Sequence, residues 1–122
     1  MANDFKRFAK PDVGTGTGAS ADAVYSVPAG AGSAALESIV IGINVCNKTT
    51  TERTASIFLD NEDGSNDVYL VKDAIIPPGT ALEVMAGNKL VLMNDGTNAD
   101  VLKALCSATN SLDVTVSILE DV

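Results

Sequence analysis

Hydrophobic and polar residues alternate one by one along much of this chain. Between residues 112 and 118 every second residue is a large aliphatic one, and the residues between them are Asp, Thr or Ser. Residues 36–46 and 53–60 alternate less strictly. A period of two places alternate side chains on opposite faces of a β-strand, so these segments predict strands. In residues 36–46 the period of two predicts that four residues share one face of the strand: Ile39, Ile41, Ile43 and Val45.

Turn-forming residues separate these segments at short intervals. Gly, Pro, Asn and Asp cluster in residues 28–33, 61–67 and 94–99, and each favours a turn for its own steric reason. Pro78-Gly79 fits the centre of a type II turn, because Pro fixes φ and Gly accepts a positive φ. The pattern predicts an all-β fold, an antiparallel β-sandwich or jelly-roll-like barrel of about eight short strands, preceded by an extended N-terminal arm.

The beginning of the chain differs in composition from the rest. Residues 11–22 (PDVGTGTGASAD) are rich in Gly, Ser and Thr, and such a segment buries too little apolar surface to order itself alone. We therefore expect residues 1–22 to form a flexible N-terminal arm and residues 23–122 to form the β-sandwich domain. Deleting the arm should then leave a folded domain.

Five residues of this arm are candidates for docking on a partner. Two phenylalanines lie three positions apart among basic residues, which suits attachment to a neighbouring subunit, although a solvated tail is the simpler interpretation. The candidates are Phe5, Lys6, Arg7, Phe8 and Lys10.

Charge and composition narrow the classes of function. The 122 residues are enough for one domain, and their net charge of −8 repels phosphate backbones, which argues against nucleic-acid binding. The first residues, MANDFKRFAK, lack the apolar region of a secretory signal. The longest apolar run, Ile39–Val45, is too short to span a bilayer. We expect a protein that is made in a cytoplasm and binds neither nucleic acid nor membrane.

The residues that usually carry catalysis or bind metal are scarce. The chain contains no histidine, which removes the commonest general base and the commonest zinc ligand. Most acidic residues fall in predicted turns, where a carboxylate is solvated, so we expect no enzyme activity, cofactor or metal. The acidic loop Asp60–Asp67 could hold a surface ion, but its spacing fails the EF-hand pattern and favours a hairpin tip. Cys46 and Cys106 are expected to be buried thiols rather than a disulfide.

Several segments together resemble a family of small structural proteins of tailed bacteriophages, notably those that infect cyanobacteria and other aquatic bacteria. The most specific part is Tyr69–Leu92, in which a strand ending in Val-Lys-Asp precedes a Pro-Gly corner and a Gly-Asn-Lys hairpin. The chain departs from the family pattern in its acidic tip, Asn61–Asn66, and in the residues TNA before Asp100. The segments are KRF, VYSVPAG, IGINVCNKTT, YLVKDAIIPPGTALEVMAGNKLVLMNDG and DVLKALCSATNSLDVTVSILED.

The resemblance implies a β-sandwich virion component without catalytic residues. The leading hypothesis is a capsid decoration or cement protein that docks in many copies on the major capsid protein, through its arm and strand edges, and forms a homo-oligomer. A tail, neck or fibre-attachment component is the alternative. A carbohydrate-binding β-sandwich for host adsorption is a second alternative, and it would have to stack sugars on Tyr25, Phe58 or Tyr69.

Overall fold

The computed structural model describes residues 3–17, 20–60, 67–85 and 89–121. These residues form nine β-strands and one short 3-10 turn, Ala31–Ser33, and no α-helix occurs among them. The strands are β1 (Asn3–Lys10), β2 (Asp22–Ser26), β3 (Leu36–Asn47), β4 (Arg53–Asp60), β5 (Asp67–Ile76), β6 (Ala81–Glu83), β7 (Leu90–Asn94), β8 (Val101–Cys106) and β9 (Leu112–Asp121).

The strands form two antiparallel sheets. The first sheet has the order β1-β9-β3-β6, with β7 also paired to β3, and the second has the order β2-β8-β4-β5. The pairs are nested: β1 with β9, β2 with β8, β3 with β6 and β7, and β4 with β5. A long hairpin rolled up on itself gives this order, which is that of a jelly roll. The prediction of an all-β antiparallel sandwich is confirmed.

Aliphatic side chains from the inner faces of both sheets form the core. The strict alternation of β9 is confirmed, because its four apolar residues at even positions are all buried. The turn before β6 is also as predicted: Gly79 has a φ of 70°, and the Thr80 N–H donates to the Pro77 carbonyl at 3.3 Å. Core residues with no exposed surface include Val13, Val40, Ile43, Val45, Leu92, Leu102, Ala104, Val116 and Ile118.

The alternation of β3 changes sides in the middle of the strand. A β-bulge between Val40 and Gly42 inserts one extra residue, so the side chains after it shift to the opposite face. Ile43 is therefore fully buried, whereas Ile41 is 41% exposed. The prediction that Ile39 and Ile41 share one face with Ile43 and Val45 is wrong for this reason.

The N-terminal segment is part of the first sheet. β1 pairs with β9 from Asn3 opposite Asp121 to Lys10 opposite Val114. Behind it, Val13 is fully buried, and its N–H donates to the Leu112 carbonyl at 3.0 Å. This arrangement differs from the flexible arm expected from composition, because the edge of β9 supplies backbone hydrogen bonds that a count of apolar side chains does not include.

Candidate interaction surface

The five candidate docking residues lie on β1, and the strand sends them to opposite faces. Three contact their own chain: the Lys6 ammonium lies 2.8 Å from Glu120 Oε1, the Phe8 ring centroid lies 4.7 Å from that of Tyr25, and Lys10 lies 3.9 Å from Asp22. The other two are exposed. Phe5 is 78% exposed, and Arg7 also lies on the surface. Phe5 and Arg7 therefore lie on the open side of β1, whereas Lys6 and Lys10 keep 42% and 36% of their side chains exposed while paired within the subunit.

Lys6 belongs to a polar network at the inner end of β9. Glu120 is buried, and it accepts hydrogen bonds from Lys6 at 2.8 Å and from the Tyr25 hydroxyl at 2.6 Å. The Tyr25 hydroxyl also lies 2.8 Å from the Ser38 hydroxyl oxygen. Every polar group named here has a partner, which is the condition for burying a carboxylate at acceptable cost.

The network shifts the pKa values of its members in directions that favour ionised Glu120 and neutral Tyr25. Burial by itself raises the pKa of Glu120, but the hydrogen bonds from Lys6 and Tyr25 outweigh burial and hold it below its usual range. Burial, followed by the hydrogen bond to Glu120, raises the pKa of Tyr25 well above its usual range. A carboxylate with a lowered pKa is a poor general acid at neutral pH, so this geometry favours a structural role.

A groove of about 400 Å³ opens beside this network, between the free edges of β1 and β2. Its walls are mainly apolar, and its charged atoms are those of Lys6 and Glu120, which already bind each other. A ligand would have to replace that internal pair, so the groove is a weaker candidate site than the open sheet face. The other lining residues are Phe8, Ala23, Val24, Tyr25, Ser26 and Pro28.

The outer face of the first sheet, which points away from the second sheet, carries a continuous line of apolar side chains. The strand register joins Phe5 to Leu119, Leu119 to Ile39 and Ile39 to Val91. These four residues, hereafter the apolar row, cross β1, β9, β3 and β7. Val91 is 53% exposed, and Ile41 and Met93 extend the same face at 41% and 44%. An exposed apolar strip of this kind marks a protein–protein contact surface more often than chance.

Opposite charges flank the apolar row. Because β1 and β3 both pair antiparallel with β9, they run in the same direction. Exposed Glu37 lies two residues before Ile39 on β3, whereas exposed Arg7 lies two residues after Phe5 on β1. Exposed Lys89 lies two residues before Val91, and β7 runs opposite to β3. The side of the row that holds Arg7 and Lys89 also carries exposed Glu83, which pairs with Asn44 on β3, so it has charges of both signs, whereas Glu37 lies on the other side.

The outer face of the second sheet is covered by its own side chains. Phe58 is fully buried, and its ring packs edge-on against that of Tyr69 with the centroids 5.2 Å apart. Lys103, opposite Phe58 on β8, reaches Asp60 at 3.1 Å. The Lys72 ammonium lies 5.1 Å from the Tyr69 ring centroid. Because Tyr25 is also buried, only Tyr69 of the three aromatic residues considered for sugar stacking is accessible.

No protein-family model matches this chain. A search of curated proteins finds no significant match either. Function is therefore inferred from the residues and from the surfaces that they form.

The remaining sequence predictions concern metal, thiols and membrane. In the described ranges, no group of three or more His, Cys, Asp or Glu side chains is arranged to hold a metal ion. Residues 61–66 lie outside those ranges, so the ion site considered for Asp60–Asp67 stays untested. Cys46 and Cys106 are free thiols, as predicted, but only Cys106 is buried, and Cys46 is half-buried. No helix in the described part of the chain is long and apolar enough to cross a membrane.

The surface residues missed by sequence reasoning had a detectable signal. Residues 39–41, 90–93 and 118–119 are continuous apolar runs, and such a run gives a strand two apolar faces. The core needs only one of them. Glu120 had a different signal, since it continues the inward alternation of β9 with a charged residue.

Proposed function

We propose that this protein is a non-enzymatic structural component of a tailed-bacteriophage virion that decorates or cements the capsid in many copies. The observation that carries the proposal is the apolar row. It lies on a rigid sheet face, and its flat shape suits another protein surface better than a small ligand, which usually needs a concave site.

Two further observations support the same assignment. The sequence resembles small phage structural proteins over most of its length, and the jelly-roll order recurs in viral capsid domains, although lectins and other proteins share it. A symmetric shell repeats one contact many times, so a modest apolar surface on each subunit is sufficient for stable attachment.

The pairing of β1 with β9 changes the hypothesis that residues 1–22 dock as a flexible arm. Lys6, Phe8 and Lys10 stabilise the subunit itself, whereas Phe5 and Arg7 form the β1 end of the docking face. The expected contact is therefore made by a sheet face that includes β1, and not by a flexible segment that folds on a partner.

The copy number of the protein in purified particles tests this proposal. Quantitative mass spectrometry should give a number that approaches that of the major capsid protein, because decoration follows the shell lattice. A small symmetric number would instead support a tail, neck or fibre-attachment component. Absence from purified particles would refute a virion role.

A further inference from the structure

We propose that β1 binds β1 of a second copy of this chain as an antiparallel pair, with a two-fold axis that passes between the two Phe5 residues and stands perpendicular to the first sheet. The first sheets of the two copies then join into one sheet. The inference deepens the docking role proposed above, because the joined sheet presents the apolar rows of both copies to the particle. The contact between the copies is the edge of β1, so the rows stay free.

The outer edge of β1 is a long and regular strand edge. β1 runs beside β9 without a register shift from Asn3 to Lys10, and it is the last strand of the first sheet in the described part of the chain. Its other edge therefore presents backbone N–H and C=O groups that β9 does not use. Such an edge is a template for a further antiparallel strand.

The other strand edges are less suited to a second copy. The edge of β5, which carries the 62% exposed Ile75 of the second sheet, is interrupted by two register shifts, and Asp73 has a φ of 51°. On β7, the Asp100 N–H already donates to the Met93 carbonyl at 2.8 Å. β2 has a register shift within five residues, and β6 has three residues. Bulges and short strands hinder pairing with another chain.

The charges of β1 select one position of the axis. A two-fold axis beside a residue places that residue opposite its own copy and pairs residues at equal distances on either side. Five residues or more of each strand pair only when the axis lies beside residue 5, 6, 7 or 8. An axis beside Lys6 or Arg7 makes that residue face its own copy, and an axis beside residue 8 makes Lys6 face Lys10. An axis beside Phe5 places the two rings together and Asp4 of each copy opposite Lys6 of the other. Opposite charges and aromatic pairs stabilise facing positions, whereas like charges destabilise them.

The side chains of Asp4 and Lys6 are available for this contact. They lie on the same face of β1, because they are two residues apart, and both are exposed. Lys6 lies 2.8 Å from Glu120 Oε1, yet 42% of its side chain remains exposed. An ammonium group has three N–H donors, so Lys6 can bind Asp4 of the second copy and keep its bond to Glu120.

The apolar row selects the same axis independently. The row ends at Phe5 and crosses the strands, so a two-fold axis beside Phe5 places the rows of the two copies end to end on one line. An axis beside residue 6 or 7 would offset the rows by about 7 Å or 13 Å along the strands. Because the axis is perpendicular to the sheet, both rows face the same side, and the isologous dimer doubles the surface offered to the particle.

Oxidation of the Phe5→Cys variant with copper phenanthroline tests the axis. Facing Cα atoms of an antiparallel pair lie about 4.5–5.5 Å apart, a distance that a disulfide spans, so this variant should form a covalent dimer on a non-reducing gel. Arg7→Cys is the matched control on the same face, and it should stay monomeric because its two copies lie about 13 Å apart along the strands. The wild type, which carries Cys46 and Cys106, gives the background. No cross-link in Phe5→Cys, or equal cross-linking of both variants, would overturn the proposal.

Sedimentation equilibrium of the full chain over a range of concentrations tests the charge pairing. The wild type should form a dimer, and Asp4→Lys should weaken it about tenfold, because it replaces both attractive pairs by facing lysines. Glu52→Lys makes the same change of charge at an exposed residue outside the strands and should leave the dimer unchanged. Circular dichroism should show that both variants are folded. A wild type that stays monomeric, or equal effects of the two variants, would refute the inference.

Two further variants separate the edge of β1 from the apolar row. Val91→Lys on the row and Ile75→Lys on the second sheet should both leave the dimer unchanged, since neither residue lies on β1. A dimer that Val91→Lys weakens as strongly as Asp4→Lys would mean that the row itself joins the copies, contrary to the proposal.

The dimer and the virion role fail separately. A stable dimer that is absent from purified particles would refute the virion role and leave the inference intact. A protein that is abundant in particles but monomeric in solution at all concentrations would refute the inference alone.

Discussion

Glu120 is the residue at which the inner face of the sandwich departs most from an aliphatic core. Its position could be predicted, because the alternation of β9 continues from Ile118 to Glu120. Its partners Lys6 and Tyr25, and Ser38 behind Tyr25, could not be predicted, because they come from three different strands. Only the topology brings these side chains together at the edge between the two sheets.

The lowered pKa of Glu120 predicts how stability depends on pH. A carboxyl whose pKa is lower in the folded state than its unfolded value of about 4.5 stabilises the fold above that value, and its contribution is lost as pH falls through the folded pKa. Glu120→Gln should therefore reduce the free energy of unfolding by about 2 kcal/mol at pH 7 and by less at pH 3. Urea denaturation at the two pH values measures both effects.

Glu52→Gln is the matched control for that measurement, because Glu52 is exposed and should contribute little at either pH. The hydrogen bonds that Asp113 accepts from Lys48 and from the Asp12 N–H also outweigh burial and lower the pKa of Asp113. Part of the acid sensitivity should therefore persist in Glu120→Gln. Equal losses of stability at pH 7 and pH 3 would show that the charge of Glu120 is not what matters.

At the scale of elements, the N-terminal segment was predicted to be a flexible arm, and β1 shows why it could not be recognised as a strand from the sequence. Its residues alternate between a face that packs on the sandwich and a face that is exposed, but charged residues occupy both faces and hide the apolar pattern. This segment forms a strand because the edge of β9 offers it backbone hydrogen-bond partners. Removing residues 1–22 would uncover that edge and leave Glu120 without Lys6, contrary to the expectation that the domain folds without them.

Two phenylalanines on this strand test its placement directly. Phe8→Ala should lower the free energy of unfolding by about 2 kcal/mol, because the ring packs against Tyr25 and the core. Phe5→Ala should change it by less than about 0.5 kcal/mol, because the ring is exposed. Chemical denaturation of both variants gives the comparison. Two equally neutral substitutions would mean that residues 3–10 do not pair with β9 in solution.

For the whole molecule, the fold class followed from the sequence and the proposed contact surface did not. Period-two segments and turn residues were enough for an all-β sandwich. The apolar row depends on the register between four strands, which cannot be derived from local pattern. Runs such as Leu90–Met93 showed only that both faces of a strand are apolar.

The central claim is that the apolar row is a protein contact surface in the assembled particle. The most direct measurement adds purified protein to particles that lack it and quantifies the bound copies after washing. The wild type and Ile75→Lys should bind to the same saturating number, and Val91→Lys should bind far fewer copies, because its row can no longer exclude water from the contact. Equal binding of all three proteins would contradict the account.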